Sequence, residues 1–191
     1  GLTAMDRRVL PAAALALLLA AATVSAWAEG AHQHGVARLE VVVDGSSLAI
    51  TLDSPLDNLL AFERGPRTEA ERAAVRAMAQ RLHAAATLLQ PTPAAGCTLR
   101  TVALQSDVID PALLARGATA GARTGTPAAG GHADLEASFQ FDCSQPQALK
   151  GLALGGLFQA FPRLRQLDVA LAAPGVQRGA RLTPQKPVLA W

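Results

Sequence analysis

The sequence predicts an α+β fold: a mainly antiparallel sheet built of hairpins, packed with two to three helices in a single domain. Three observations predict it. The segments "VARLEVVVDGSSLAITLDS" and "HADLEASFQFDC" alternate apolar and polar residues with period two, as strands with one buried and one wet face do. "RTEAERAAVRAMAQRLHAAATLLQP" instead spaces its apolar residues for one face of a helix. The turn dipeptides Asp44-Gly45 and Pro174-Gly175 separate consecutive strand-like runs.

Residues 1–28 are set apart from this domain. Met5, with Asp6, Arg7 and Arg8 behind it, reads as a start, and residues 1–4 as a remnant. From Val9 to Ala28 there is no charge, and Ala26-Trp27-Ala28 is a small-x-small end. Together these make a secretory signal peptide cleaved near Ala28, with a transmembrane anchor as the competing reading. The domain is then residues 29–191, exported. No later segment is long and apolar enough to span a membrane. Loss of Arg7, Arg8 and Asp6 with the leader takes the formal net charge from +2 to +1. So small a charge leaves no nucleic-acid footprint and no polybasic membrane patch.

The elements follow in order. In the first hairpin Ala37, Leu39, Val41 and Val43 alternate with polar positions, and Leu48, Ile50 and Leu52 continue the pattern after the turn. Ser54, with Asp57 three residues on and Pro55 between, marks a short helix through Phe62. Thr68 and Glu71 form a capping box for the long helix, whose stripe is Val75, Met78, Leu82, Ala85 and Leu89. His83 falls on its wet face as an ordinary solvated side chain, and Pro91 ends it. "CTLRTVALQS" is a third strand. Residues 115–131 have no apolar period and read as a mobile loop. In "HADLEASFQFDC" Ala133, Leu135, Ala137, Phe139, Phe141 and Cys143 share the core face. "ALKGLALGGLFQAFP" is apolar nearly all round and reads as a buried helix, with Gly151, Gly155 and Gly156 permitting close packing. A second hairpin turns at Pro174-Gly175, and "PVLAW" is a last short strand.

Two cysteines, Cys97 and Cys143, in an exported chain favour a disulfide between the third strand and the "HADLE" strand. No G-x-S-x-G, H-E-x-x-H, P-loop or Gly-rich dinucleotide turn is present, so no enzyme is predicted. The chemistry rests on histidine. His32 and His34, in extended chain, project to one side, and so do His132 and Asp134. Imidazole and carboxylate are suitable zinc ligands. The competing reading is that each pair is fortuitous. The two pairs meet at one rim if their strands pair or lie at one sheet edge in parallel sense; if the strands are adjacent and antiparallel, their starts lie at opposite ends and the site fails.

The motifs "AHQHG", "SPLDNLLAFE", "HADLE" and "LFQAFP", taken together, resemble the ZrgA-like family of zinc-regulated periplasmic proteins, long filed as a domain of unknown function, from about residue 31 to the end. The resemblance implies a periplasmic protein that binds zinc and buffers or delivers it, with a zinc ABC transporter or its binding protein as partner. His32, His34, His132 and Glu63 match the family's positions. The expected ligands are therefore His32, His34 and His132, with Asp134 and Glu63 competing for the fourth position or supporting the others. Two departures stand out: Arg64 replaces a histidine common in the family, and residues 115–131 lack the family's frequent His-rich loop. Two alternatives remain open. One is a copper- or nickel-binding envelope protein, since imidazole sites prefer copper(II) on intrinsic affinity. The other is a metal-free envelope protein that binds a protein partner.

Overall fold

A computed structural model describes residues 34–119 and 133–191. Chain order begins with β1 (Val36–Asp44) and β2 (Ser47–Pro55), joined by the predicted Asp44-Gly45 turn. Then come α1 (Leu56–Leu60), α2 (Glu69–His83), β3 (Gln90–Pro91), β4 (Cys97–Gln105) and α3 (Pro111–Leu114). After the undescribed residues follow β5 (Asp134–Cys143), β6 (Gly151–Ala153), α4 (Gly155–Ala160), β7 (Gln166–Ala173), β8 (Val176–Leu182) and β9 (Val188–Ala190). The α+β class holds. A six-stranded sheet runs β4-β5-β2-β1-β7-β8, and a small one runs β3-β6-β9.

Strand sense decides what the large sheet can do. β2 is antiparallel to both β1 and β5, so β1 and β5 run the same way with one strand between them. β7 lies parallel to β1, Val36 opposite Gln166, the one parallel pair among the described residues of a mostly antiparallel sheet. β4 is antiparallel to β5. One end of the sheet, here called the rim, therefore collects the starts of β1, β5 and β7 and the ends of β2 and β4.

The period-two faces are realised as read. Leu39, Val41, Leu48, Ile50, Leu52, Leu135, Phe139, Phe141 and Leu167 are buried in one cluster with Val75, Met78 and Leu82 of α2. The capping box is present, with Glu71 N–H donating to Thr68 Oγ1 and the Glu71 carboxylate accepting from Thr68 N–H. α2 stops at His83, earlier than Pro91, and Ala85 and Leu89 reach the core from a 3-10 turn and the segment after it.

Three readings are corrected, and one element is new. Ser54 caps nothing: it is the buried penultimate residue of β2, its hydroxyl donating to Pro55 O, and α1 has no side-chain cap. His83 is half-buried, its Nε2 2.9 Å from the Leu114 carbonyl oxygen. α3, which closes against α2 and supplies that carbonyl, was not foreseen. The buried helix over "ALKGLALGGLFQAFP" is instead a 3-10 turn, the strand β6 and the six-residue α4. A short apolar run carries no usable period, and β6 gains hydrogen-bonded partners on both sides, β3 and β9. Close packing by glycine is real: a Cβ on Gly156 would collide with the Thr87 carbonyl oxygen. The leader and most of the expected mobile loop lie outside the described residues.

The Cys97–Cys143 disulfide joins directly opposed residues of β4 and β5, 46 positions apart in sequence. In the chain-entropy view a bridge of that span constrains the unfolded chain by about 4 kcal/mol. Replacing both cysteines with serine should therefore lower the unfolding free energy by several kcal/mol, read from the denaturant midpoint in chemical unfolding.

At the start of α2, the Arg64 guanidinium beside Glu71, helped by the Arg67 and Thr68 backbone N–H groups, holds the Glu71 carboxyl down at about 2. A folded pKa below the ordinary 4.5 means a stabilising contribution that is fully present above pH 4.5 and disappears as pH falls towards 2. The melting-temperature gap between wild type and Glu71→Gln should close across that window in acid titration.

Candidate metal site at the sheet rim

The rim is built by the turn from β2 into α1. Leu56 N–H donates to Ala133 O at 2.8 Å, which fastens the start of α1 to the residue preceding β5. Asp57 and Asn58 in the first turn of α1 are buried. The Asn58 carboxamide uses both its ends. Its Oδ1 accepts from Gly35 N–H at 2.7 Å, and its Nδ2 donates to Val36 O at 2.9 Å and to Ser54 Oγ at 3.2 Å. Gly35 sits at φ +84°, a left-handed conformation that glycine adopts freely. Its carbonyl accepts from Arg165 N–H and Gln166 N–H at the start of β7. The turn that carries His34 is thus fixed from both sides.

His34 presents a ring that is 69% exposed. Its Nδ1 is 2.9 Å from Asp57 Oδ2 and 3.6 Å from Glu63 Oε1, the latter 45% exposed just beyond α1. Arg163, before β7, grips Asp57 from the other side. One terminal nitrogen reaches the two carboxylate oxygens at 2.6 and 2.7 Å, and Nε donates to the Asp57 carbonyl at 2.8 Å. The hydrogen bond to Asp57, and then the charge of Glu63, hold the His34 pKa above its ordinary 6.5. Arg163 first and His34 second hold the Asp57 carboxyl below its ordinary value.

Of the five expected ligands, His34 and Glu63 are brought side by side. Asp134 opens β5 opposite Pro55 of β2, at the same rim and half-buried. His32 and His132 lie outside the described residues, and among the described residues no group of three His, Cys, Asp or Glu side chains forms a ready metal cluster. β1 and β5, the strands that follow the two histidine pairs, run in parallel sense but neither pair nor lie at one sheet edge, because β2 stands between them; their starts lie at the same end of the sheet. Arg64, where a family histidine commonly stands, turns away from ligation. It bonds both Glu71 carboxylate oxygens, at 2.6 and 3.0 Å, with its guanidinium carbon 5.4 Å from the centre of the Phe62 ring.

The family model for ZrgA family zinc uptake proteins matches residues 31–191. The chain belongs to that family. A comparison with curated proteins finds no match. The zinc-related role implied by the family's name agrees with a rim that gathers imidazole and carboxylate at one end of the sheet. Two residues that sequence reasoning passed over prove central: Asp57, read there as part of a cap, and Arg163. Both lie in or beside quoted motifs, Asp57 inside "SPLDNLLAFE" and Arg163 directly after "LFQAFP". No local pattern pairs two residues 106 positions apart.

Asn58→Ala should cost about 1–3 kcal/mol, because it strands the Gly35 N–H and the Val36 carbonyl. A thermal melt measures the loss, and amide hydrogen exchange should show it concentrated at Gly35 and the start of β1.

Proposed function

We propose that this protein is an exported carrier, not an enzyme, that binds zinc at the rim and buffers it or hands it to an uptake system. His32, His34 and His132 supply imidazole, and Glu63 and Asp134 supply carboxylate. The observation that carries this reading is the fixed His34 ring beside Asp57 and Glu63, at the end of the sheet where β1 and β5 both begin. Zinc is usually held by four ligands, and two histidines on adjoining chain are too few for a tight site. A third imidazole from the residues before β5 would make the set adequate. The family's zinc-uptake description and the disulfide, which belongs to an oxidising compartment, both support the assignment. Delivery to a zinc ABC transporter or its binding protein is the role such a carrier would fill.

The test is zinc content and titration of tag-free protein purified from the periplasm. His32→Ala/His34→Ala and His132→Ala should each lose tenfold or more in affinity. Unchanged affinity in both would overturn the reading.

Acid should release the ion. Each imidazole must be neutral to ligate. Because Asp57 and Glu63 hold the His34 pKa above 6.5, protons compete there while pH is still above that value. Apparent zinc affinity should therefore fall as pH is lowered through the neutral range, measured by competition with a chelator whose own pH dependence is known.

A further inference from the structure

We infer that zinc is taken at Nε2 of His34, and that Asp57, held by Arg163, positions the imidazole without itself becoming a ligand. The inference rests on the zinc-carrier reading and specifies the roles within that site.

Two arrangements are open to this set of side chains. In the first, the ion replaces the proton on His34 Nδ1 and takes Asp57 Oδ2 and Glu63 Oε1 as further ligands. The spacings, 2.9 and 3.6 Å from Nδ1, are compatible with it, since ligand atoms around a tetrahedral zinc with bonds of about 2.0–2.1 Å stand about 3.3 Å apart. In the second, Nδ1 keeps its proton and donates it to Asp57, and Nε2 offers its lone pair to the ion. Nε2 makes no hydrogen bond among the described residues, and the ring is largely exposed.

Arg163 decides between them. Its guanidinium nitrogen is 2.7 Å from Asp57 Oδ2, the oxygen the first arrangement needs, and 2.6 Å from Oδ1. Its Nε also bonds the Asp57 main-chain carbonyl, so the cation cannot swing off the carboxylate without breaking a third bond. Arginine does not lose its proton in proteins. A divalent ion at Oδ2 would sit against a permanent positive charge, beside a side chain that is only 11% exposed and poorly screened by water. The second arrangement keeps the ion off the oxygens that Arg163 holds. A histidine that ligates a metal commonly donates its other ring N–H to a carboxylate, which fixes the tautomer and the ring plane. Arg163 would fix that carboxylate in turn, so that β7 and α1 together aim a ring carried at the foot of β1.

The test uses the full exported chain. Nitrogen-15 NMR of the zinc-free protein, with the ring assigned by comparison with His34→Gln, should find the neutral His34 imidazole protonated on Nδ1. Asp57→Ala should shift it towards the Nε2–H form. In zinc titration Asp57→Ala and Arg163→Ala should each weaken binding about 10- to 100-fold. Arg163→Lys should recover part of the loss. Tighter binding by Arg163→Ala, or an Nε2–H ring in wild type, would overturn the inference and point to Asp57 as a ligand. Wild-type affinity in both alanine variants would also overturn it. Melts run alongside identify a variant that is merely unfolded, and the tautomer of the wild-type ring still decides the case. If His34→Gln binds zinc as wild type does, the carrier reading fails at this residue. If only the Asp57 and Arg163 variants are silent, the positioning role alone fails.

Discussion

The arrangement at the rim depends on one carboxamide. Asn58 bonds the turn before β1, the first residue of β1 and the end of β2 together, and it uses acceptor and donor at once. An aspartate there would accept but, when ionised, could not donate, and an apolar residue would leave two main-chain groups bare. Because the bonded N–H is that of Gly35, the residue next to His34, ordering passes straight into the imidazole. A histidine near the beginning of a domain is ordinarily carried by loose chain. Here it is carried by the foot of a central strand.

Around that anchor the charges alternate: Arg163, Asp57, His34, Glu63. The first two links are 2.6 and 2.9 Å and the third is 3.6 Å, and the most sheltered member is the Asp57 carboxylate. A carboxylate in that position is acceptable because it has an obligate cation on one side and a ring N–H on the other. The rim can therefore exist without any metal. The same network leaves one nitrogen of the ring facing outward, so order inside the cluster and availability outside it come from the same bonds.

The sheet was readable because its strands alternate strictly. Every core position proposed for β1, β2 and β5, from Ala37 and Leu39 to Phe139 and Phe141, is inside, except that Val43 and Ala133 are only partly buried. The parallel pairing of β1 with β7 was not readable, since the alternation in "QLDVALAA" does not say which neighbour it will find. The apolar stretch around Leu152 and Leu154 failed for a related reason: burial on all sides erases the difference between a helix and a strand. At the site, His34 and Glu63 could be nominated from residue type and motif. Asp57 could not be given its part, because Ser54-Pro55 imitates a helix start so closely that a cap was the simpler explanation. Its partner lies far away in sequence, and only the fold brings the two together.

The disulfide closes β4 and β5 at the end of the sheet away from the rim, Cys97 against Cys143, while Gln105 and Glu136 face each other near the rim. The two strands and everything between them therefore form one covalent ring, sealed at its base and anchored at both shoulders. The span between the shoulders includes α3, whose Leu113 and Leu114 are buried in the core. A single cut of the closed ring, anywhere between Cys97 and Cys143, would therefore leave both strands covalently joined.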